Sequence, residues 1–312
     1  MGQKTVTTCV AFTLAINGGT AQAQAQTELE ELVVWGRSLM LLGRAESASQ
    51  GVVGYADFST RPLARVGELV EVVPGMIATQ HSGPGKANQY FLRGFNLDHG
   101  SDFSTSFGGM PVNMRTHAHA QGYMDLNFII PEIIERVDFK KGPYFADSGD
   151  FSLAGSSAMK TYDRLEQGFT ELTLGQGDEI RLVTADSFEL NSGELLVAFE
   201  HHQTDGFFDL DQDVRKYNGL AKYTGELAGI PSQITVSAYD SKWISTNQVP
   251  QRAVTNGSIG RFGFIDPDLG GESHRYSITG TFDLGNWDLN LYSSAYYMSL
   301  INNPTYVLND PV

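Results

Sequence analysis

Cysteine is almost absent from this sequence, and long apolar runs and basic residues are scarce as well. A single cysteine, Cys9, occurs in 312 residues, which excludes a disulfide framework. No run approaches the roughly 20 apolar residues of a membrane-spanning helix, so a membrane protein of this composition would have to be a β-barrel. The formal net charge of −15 argues against nucleic acid as a partner, because phosphate binding needs surfaces rich in lysine and arginine.

Catalytic motifs are missing too. The 7 histidines are scattered, and the sequence has neither a Gly-x-Ser-x-Gly elbow nor a phosphate-binding loop. We therefore expect neither enzyme activity nor a cofactor. His117 and His119 form the densest histidine cluster. On an extended segment both rings would project to one side, where they could contact a metal or hydrogen-bond a ligand. A metalloenzyme built on this pair would need further ligands and a general base, which the sequence does not supply.

The first 25 residues have the order of parts of a secretory signal peptide. Lys4 precedes an apolar stretch from Cys9 to Ile16, and small residues at Ala21, Ala23 and Ala25 follow it. The alternative is an N-terminal tail that stays attached. We expect this leader, assigned to residues 1–25, to be cleaved after Ala23 or Ala25.

Apolar residues recur at helical spacing between residues 60 and 75. This pattern predicts a helix that begins at Thr60-Arg61-Pro62 and ends at Pro74-Gly75. The preceding segment, Leu39 to Phe58, predicts loops. We expect the helix to pack into the core of a compact unit, with these core residues: Leu63, Val66, Leu69, Val70, Leu92 and Val137.

Beyond Leu165 the apolar period changes to two. Val236, Tyr276 and Ile278 are apolar positions that alternate with polar residues such as Ser237 and Ser277. This is the apolar-out, polar-in pattern of barrel strands. Three aromatic residues are candidates for a membrane-interface girdle: Trp243, Tyr296 and Tyr297. A soluble sandwich would alternate similarly but would bury its apolar face under protein.

Five short motifs follow one another between residues 73 and 143. They are Val73-Pro74-Gly75, Leu92-Arg93-Gly94-Phe95, Gly109-Met110-Pro111-Val112, Ile134-Glu135-Arg136-Val137 and Lys141-Gly142-Pro143. In this order and spacing they resemble the plug of a TonB-dependent outer-membrane receptor. The resemblance implies an α+β plug domain followed by an incomplete antiparallel transmembrane β-barrel. The implied segments are a signal peptide (1–25), a TonB-box segment and linker (26–59), the plug (60–165) and the first barrel strands (166–312).

The resemblance also implies a function and a location. Family members sit in the outer membrane of Gram-negative bacteria, embedded in its lipid. They take up a scarce metal-siderophore, corrinoid, metal complex or oligosaccharide, driven by TonB and its inner-membrane energising complex. A TonB box is expected at Glu31, Leu32, Val33, Val34 and Trp35, where the chain would add a strand to an edge of TonB. The usual motif ends in Thr-Ala rather than Trp35-Gly36, and an ordinary edge strand is the alternative.

Two groups of plug residues carry the remaining expectations. The ligand-binding candidates lie on loops expected at the outer face: His81, Asn96, Asp98, His99, Arg115, His117 and His119. Charged residues expected to hold the plug against the barrel are Arg93, Glu135, Arg136 and Lys141.

The length after residue 165 gives a final expectation. It allows about eight strands at roughly 10 residues each, whereas receptors that enclose a plug use about 22. We therefore expect the chain to be the N-terminal part of a longer receptor. The alternative function is a secreted or periplasmic β-rich binding protein without transport activity.

Overall fold

Three β-sheets dominate the computed structural model, which describes residues 10–13, 49–61, 65–80, 83–246 and 248–302. Across these ranges, every helix is too short or too polar to span a bilayer. The helices present are brief connections between strands, so the sheets define the architecture.

The largest sheet is antiparallel throughout and contains eight strands. In spatial order they are β1 (Val10–Thr13), β10 (Phe169–Leu174), β11 (Ile180–Leu190), β12 (Gly193–Thr204), β13 (Val214–Leu227), β14 (Ile230–Ile244), β15 (Gly270–Asp283) and β16 (Asp288–Ile301). From β10 onward each strand pairs with the next strand in sequence, which is the up-and-down order of hairpins. Strand β1 lies within the predicted leader and pairs with β10, Val10 lying opposite Leu174.

The two ends of this sheet differ in their connections. Residues 191–192, 228–229 and 284–287 make short turns at one end, which we call the short-turn end. Residues 205–213 and 245–269 make longer connections at the opposite end, the long-loop end, and the second includes helix α2 (Gln251–Thr255). Barrel proteins of outer membranes have short periplasmic turns and longer external loops.

The two faces of the sheet follow the predicted alternation. On the outward face Val236, Tyr276 and Ile278 are 48%, 57% and 49% exposed. On the opposite face, Ser237, Ser277 and other polar residues are buried. The apolar-out, polar-in prediction is confirmed for these strands.

The described residues between 49 and 165, the segment whose motifs resemble a plug, cover the polar face with two smaller sheets. The first contains β2 (Gln50–Gly54), β8 (Ile134–Lys141), β9 (Gly155–Thr161), β6 (Phe103–Phe107) and β7 (Met110–Pro111), in that order, with β6 and β9 parallel. The second contains β3 (Met76–Thr79), β4 (Gln89–Leu92) and β5 (Phe95–Asn96). The predicted combination of an α+β plug and antiparallel strands is therefore observed.

Residues 50–58 differ from the predicted loop. Strand β2 pairs with β8, Val53 lying opposite Val137, and helix α1 (Tyr55–Phe58) follows directly. The Phe58 side chain is fully buried in the plug core. Part of the segment interpreted as a linker thus completes the edge of the plug sheet.

The predicted plug helix is shorter and tighter than its apolar spacing suggested. It is a 3₁₀ helix from Val66 to Val72, and residues 62–64, including Leu63, lie outside the described ranges. Three valines in seven residues disfavour the α-helix, and the residue before Pro74 is driven to extended backbone. The other core predictions are confirmed, because Val66, Leu69, Val70, Leu92 and Val137 are all buried.

Candidate functional site

The plug loop from Gly83 to Lys86 packs against the long-loop end of the sheet. Gly83 has a φ of 97°, and a Cβ there would lie 2.5 Å from Cβ of Ser245. A Cβ on Gly85 would overlap the indole of Trp243. Glycine permits both approaches. Trp243 is therefore buried against the plug, and its prediction as an outward interface aromatic is wrong.

Asp98, His99 and His119 come together next to this loop. One ligand atom from each side chain lies within 4.8 Å of the others. The rings of His99 and His119 pack edge to face, with centroids 4.4 Å apart. Nε2 of His99 lies 3.8 Å from Oδ1 of Asp98. The predicted ligand residues from two separate loops thus form one cluster.

The orientation of the buried His99 ring is fixed by the backbone. Its Nδ1 lies 2.9 Å from the carbonyl oxygen of Ala87 and 3.0 Å from that of Asn88. Carbonyl oxygens only accept, so Nδ1 carries the proton and donates. Nε2 is then the ring nitrogen that faces Asp98.

His117 occupies a different position from the one its spacing suggested. Residues 115–119 bend instead of extending, and the backbone N–H of His119 donates to Nδ1 of His117 at 3.1 Å. The His117 ring stacks on Tyr123 with centroids 4.0 Å apart and an interplanar angle of 2°. Burial lowers the pKa of His117. The extended segment was a wrong prediction, although both rings do contact Tyr123.

The remaining ligand candidates are dispersed. Oδ1 of Asn96 accepts from the backbone N–H of Asp98 at 2.9 Å and so shapes the loop that carries Asp98. Arg115 is exposed and lies 3.5 Å from Asp150. His81 lies outside the described residues, as does the proposed TonB segment from Glu31 to Trp35.

Two buried ionisable residues flank the histidine cluster. The side chain of Lys86 is almost completely buried, and burial lowers its pKa while the charge of Asp98 opposes that change. Asp125 is also buried, and burial raises its pKa despite hydrogen bonds from the Asn127 backbone and the Tyr296 hydroxyl. The Tyr296 side chain therefore faces the plug, and its prediction as an interface aromatic is wrong. Tyr297 is 53% exposed on the outer face.

A buried ion-pair network joins the plug to the sheet. Glu132 receives two hydrogen bonds from Arg181, at 2.6 and 3.0 Å. Arg181 also donates from Nε to Glu200 at 2.7 Å. Glu200 also forms an ion pair with Lys216 at 3.1 Å and accepts a hydrogen bond from the Asn218 amide at 2.6 Å. One plug carboxylate is thus tied to three neighbouring strands, β11, β12 and β13.

A second polar contact lies nearer the short-turn end. Nζ of Lys222 forms an ion pair with Asp163 at 2.6 Å and donates to the carbonyl oxygens of Thr161 and Tyr162 at 3.2 Å. These plug residues are the last residue of β9 and the two that follow it. Asn290 on β16 also donates to the carbonyl oxygen of Gly109 at 3.2 Å.

The residues predicted to hold the plug against the barrel make the following contacts with other plug residues. Arg136 pairs with Glu135 at 3.2 Å and with Asp138 at 3.3 Å. Arg93 donates its backbone N–H to Gly75 at the β4–β5 turn. Lys141 is buried over the Phe139 ring. Glu132 was not predicted, although a lone carboxylate in the apolar run from Phe128 to Ile134 is a signal for a buried, paired charge.

Comparison with known proteins agrees with this arrangement. Residues 44–156 match the family described as TonB-dependent Receptor Plug Domain. The vitamin B12 transporter BtuB of Vibrio vulnificus (strain CMCP6) is 28% identical over 164 residues, which are 51% of this chain and 26% of that protein.

Solved structures share the fold at low identity. The copper transporter OprC aligns with a TM-score of 0.59 at 15% identity, covering 85% of this chain and 42% of that one. The siderophore receptor PirA from Acinetobacter baumannii aligns with a TM-score of 0.56 at 13% identity, and the alignment covers 85% of this chain and 43% of PirA. A ferric enterobactin receptor, PfeA, aligns with a TM-score of 0.56 at 14% identity, and the alignment covers 85% of this chain and 44% of PfeA.

Residues 44–156 therefore match a TonB-dependent receptor plug domain, and the strands that follow share the fold of part of the solved receptor chains. It spans about a quarter of the length of the curated relative and less than half of these solved chains. The relatives named above are transporters and receptors rather than enzymes.

Proposed function

We propose that this chain belongs to a TonB-dependent transporter of the Gram-negative outer membrane that takes up a scarce ligand. The candidate ligands are a metal-siderophore, a corrinoid, a metal complex or an oligosaccharide. The ligand would first contact the plug loops that carry Asn96, Asp98, His99 and His119. TonB, energised by its inner-membrane complex, would engage the segment from Glu31 to Trp35.

The two-faced sheet is the observation that carries this proposal. On its inner face Arg181 binds the plug residue Glu132 and Lys222 binds the plug residue Asp163. Glu200, also on that face, pairs with Arg181. Its outer face leaves apolar side chains such as Tyr276 and Ile278 exposed. An exposed apolar face suits lipid, whereas a secreted binding protein would bury that face. The secreted alternative is therefore the weaker proposal.

A paired uptake experiment tests the function. The receptor would be expressed in full in Gram-negative cells that lack competing receptors, with and without TonB. The panel would contain a ferric siderophore, cyanocobalamin, Zn²⁺, Cu²⁺ and a maltooligosaccharide. We expect accumulation of one ligand class only when TonB is present. Equal accumulation in both strains, or none from the panel with the receptor at normal abundance, would contradict the proposal.

A further inference from the structure

We propose that Asp98, His99 and His119 form a binding site for a first-row divalent transition-metal ion. As cargo, such an ion would be the substrate of the proposed transporter, and that role rests on the function proposed above. The binding site itself rests on the geometry of three side chains. Among the described residues, these three are brought together by the Asn96–Gly100 turn and the 115–119 bend.

His99 has the preparation that a metal-binding histidine needs. Metal-ligating imidazoles usually donate their second ring N–H to a carbonyl or carboxylate, which fixes the tautomer and the ring orientation. Nδ1 of His99 donates to the Ala87 and Asn88 carbonyls. Nε2 is thereby directed toward Asp98 from a buried ring that two backbone carbonyls orient.

The structure reassigns the histidine pair that the sequence suggested. Nδ1 of His117 accepts from the His119 backbone, so its proton lies on Nε2 and the ring is held on Tyr123. His117 is therefore a positioning residue for the 117–119 bend. His119 is exposed, and a side-chain rotation can bring its nitrogen toward Nε2 of His99.

The distances suit a site that closes on its ion. Zinc bonds to nitrogen and oxygen are about 2.0–2.2 Å, which places tetrahedral ligand atoms about 3.4 Å apart. The three ligand atoms are already within 4.8 Å of one another. Only the exposed His119 and the half-buried Asp98 need to move, while His99 stays in place.

Two imidazoles and one carboxylate define the class of ion. This ligand set suits Zn²⁺, Cu²⁺, Ni²⁺ and Fe²⁺ rather than Ca²⁺ or Mg²⁺, which prefer oxygen. Three protein ligands leave at least one coordination position open. The site therefore fits a hydrated ion or a labile complex, and a hexadentate ferric siderophore, whose metal has no open position, does not fit.

Metal titration of the purified receptor, expressed in full and held in detergent, tests the site. Zn²⁺ binding would be measured by calorimetry, and Co²⁺ would report ligand geometry through its visible absorption. We expect one Zn²⁺ per chain, and about tenfold or greater loss of affinity in His119→Ala and Asp98→Asn. His99→Asn should lose the site as well. His99 is buried, so His99→Asn can prevent folding. In that case His119→Ala and Asp98→Asn, which change less buried residues, decide the outcome.

Two further variants sharpen the result. His274→Ala is the matched control, because His274 also contacts an aspartate, Asp240, at 2.5 Å but on the sheet. It should leave the affinity within about twofold. His117→Ala should weaken Zn²⁺ binding less than His119→Ala does. Equal losses would instead support the His117–His119 chelate and overturn the proposed set.

Failure of this site and failure of the transport function can be distinguished. A folded receptor that does not bind Zn²⁺, or a His119→Ala variant with unchanged affinity, overturns the site whatever the uptake assay shows. TonB-independent uptake overturns the transport proposal even if Zn²⁺ binds with the expected losses. Binding of Co²⁺ with an unaltered spectrum in His119→Ala would also contradict the assigned ligands.

Discussion

Glu132 of the plug and Arg181 of strand β11 form a two-point ion pair, with N–O distances of 2.6 and 3.0 Å. Both side chains are nearly buried, at 11% and 8% exposure. Arg181 and Lys216 share Glu200 between them. This network fixes the plug against the sheet through groups that must stay paired, because an unpaired buried charge is expensive.

Replacing Glu132 by glutamine should loosen the plug. Loss of one partner from a buried pair costs about 3 kcal/mol or more. Denaturation would be followed by the fluorescence of Trp243, which is buried at the plug–sheet contact, in a purified receptor whose other tryptophans, including Trp35 and Trp287, are replaced by phenylalanine. Glu135→Gln is the matched control, because its pair with Arg136 is partly exposed and should change stability by about 1 kcal/mol or less. Equal effects of the two substitutions would contradict this role for Glu132.

Asp125 should make receptor stability depend on pH. Its folded pKa is raised above the usual 3.8 by burial, so the folded state binds a proton more tightly than the unfolded state. The contribution to the free energy of unfolding is therefore fully present below the unfolded pKa and is lost as the pH rises through the folded pKa. Asp125→Asn should remove this slope.

Denaturation midpoints at a series of pH values upward from about 4 would measure the effect. Asp283→Asn, at the exposed end of β15, is the control and should keep the wild-type slope. Identical pH dependence in the wild type and Asp125→Asn would show that the Asp125 proton does not couple to folding.

Gly85→Ala should separate the plug loop from Trp243. The new Cβ would overlap the indole ring, and overpacking of this kind costs about 1–3 kcal/mol. Gly219→Ala is the control, since a Cβ there meets no heavy atom within 4 Å. Trp243 fluorescence should shift toward that of a more solvated indole in Gly85→Ala only. An unchanged spectrum and stability would mean that the loop does not pack as described.

Much of the plug could be predicted from local patterns, while contacts between distant segments could not. Val66, Leu69 and Val70 revealed their burial through spacing, and the alternation around Val236 and Tyr276 revealed the two faces of the sheet. Trp243 and Tyr296 were assigned to the wrong face because an aromatic residue suits either a membrane interface or a plug contact. Only the partners, Gly85 and Asp125, decide between these surroundings.

In the candidate site, too, the residue types could be predicted from the sequence, whereas the contacts between distant segments could not. The types of residue at Asp98, His99 and His119 suggested ligand binding, but their spacing favoured the neighbouring pair His117 and His119. The backbone carbonyls of Ala87 and Asn88 select the His99 tautomer, and no side-chain motif encodes that choice. Glu132 was overlooked because its partner, Arg181, lies 49 residues away in sequence.

The segment from Glu31 to Trp35 should bind TonB by adding a strand to its sheet. A peptide of this segment, titrated into the TonB C-terminal domain, should lose affinity when Val33 is replaced by proline. Proline removes a backbone donor and fixes φ. Val33→Ala keeps the donor and should bind more tightly than the proline variant. Equal affinities of the two variant peptides would reject strand addition at this position.

Uptake by cells carrying the Val33→Pro receptor tests the central claim most directly. The receptor would be expressed in full with Val33→Ala as the control, at matched outer-membrane abundance, using the panel ligand that the wild type accumulates. If TonB drives transport through this segment, Val33→Pro should reduce the uptake rate by about tenfold or more while surface binding of the ligand stays unchanged. Equal uptake by the proline and alanine receptors would contradict TonB-driven transport through this segment.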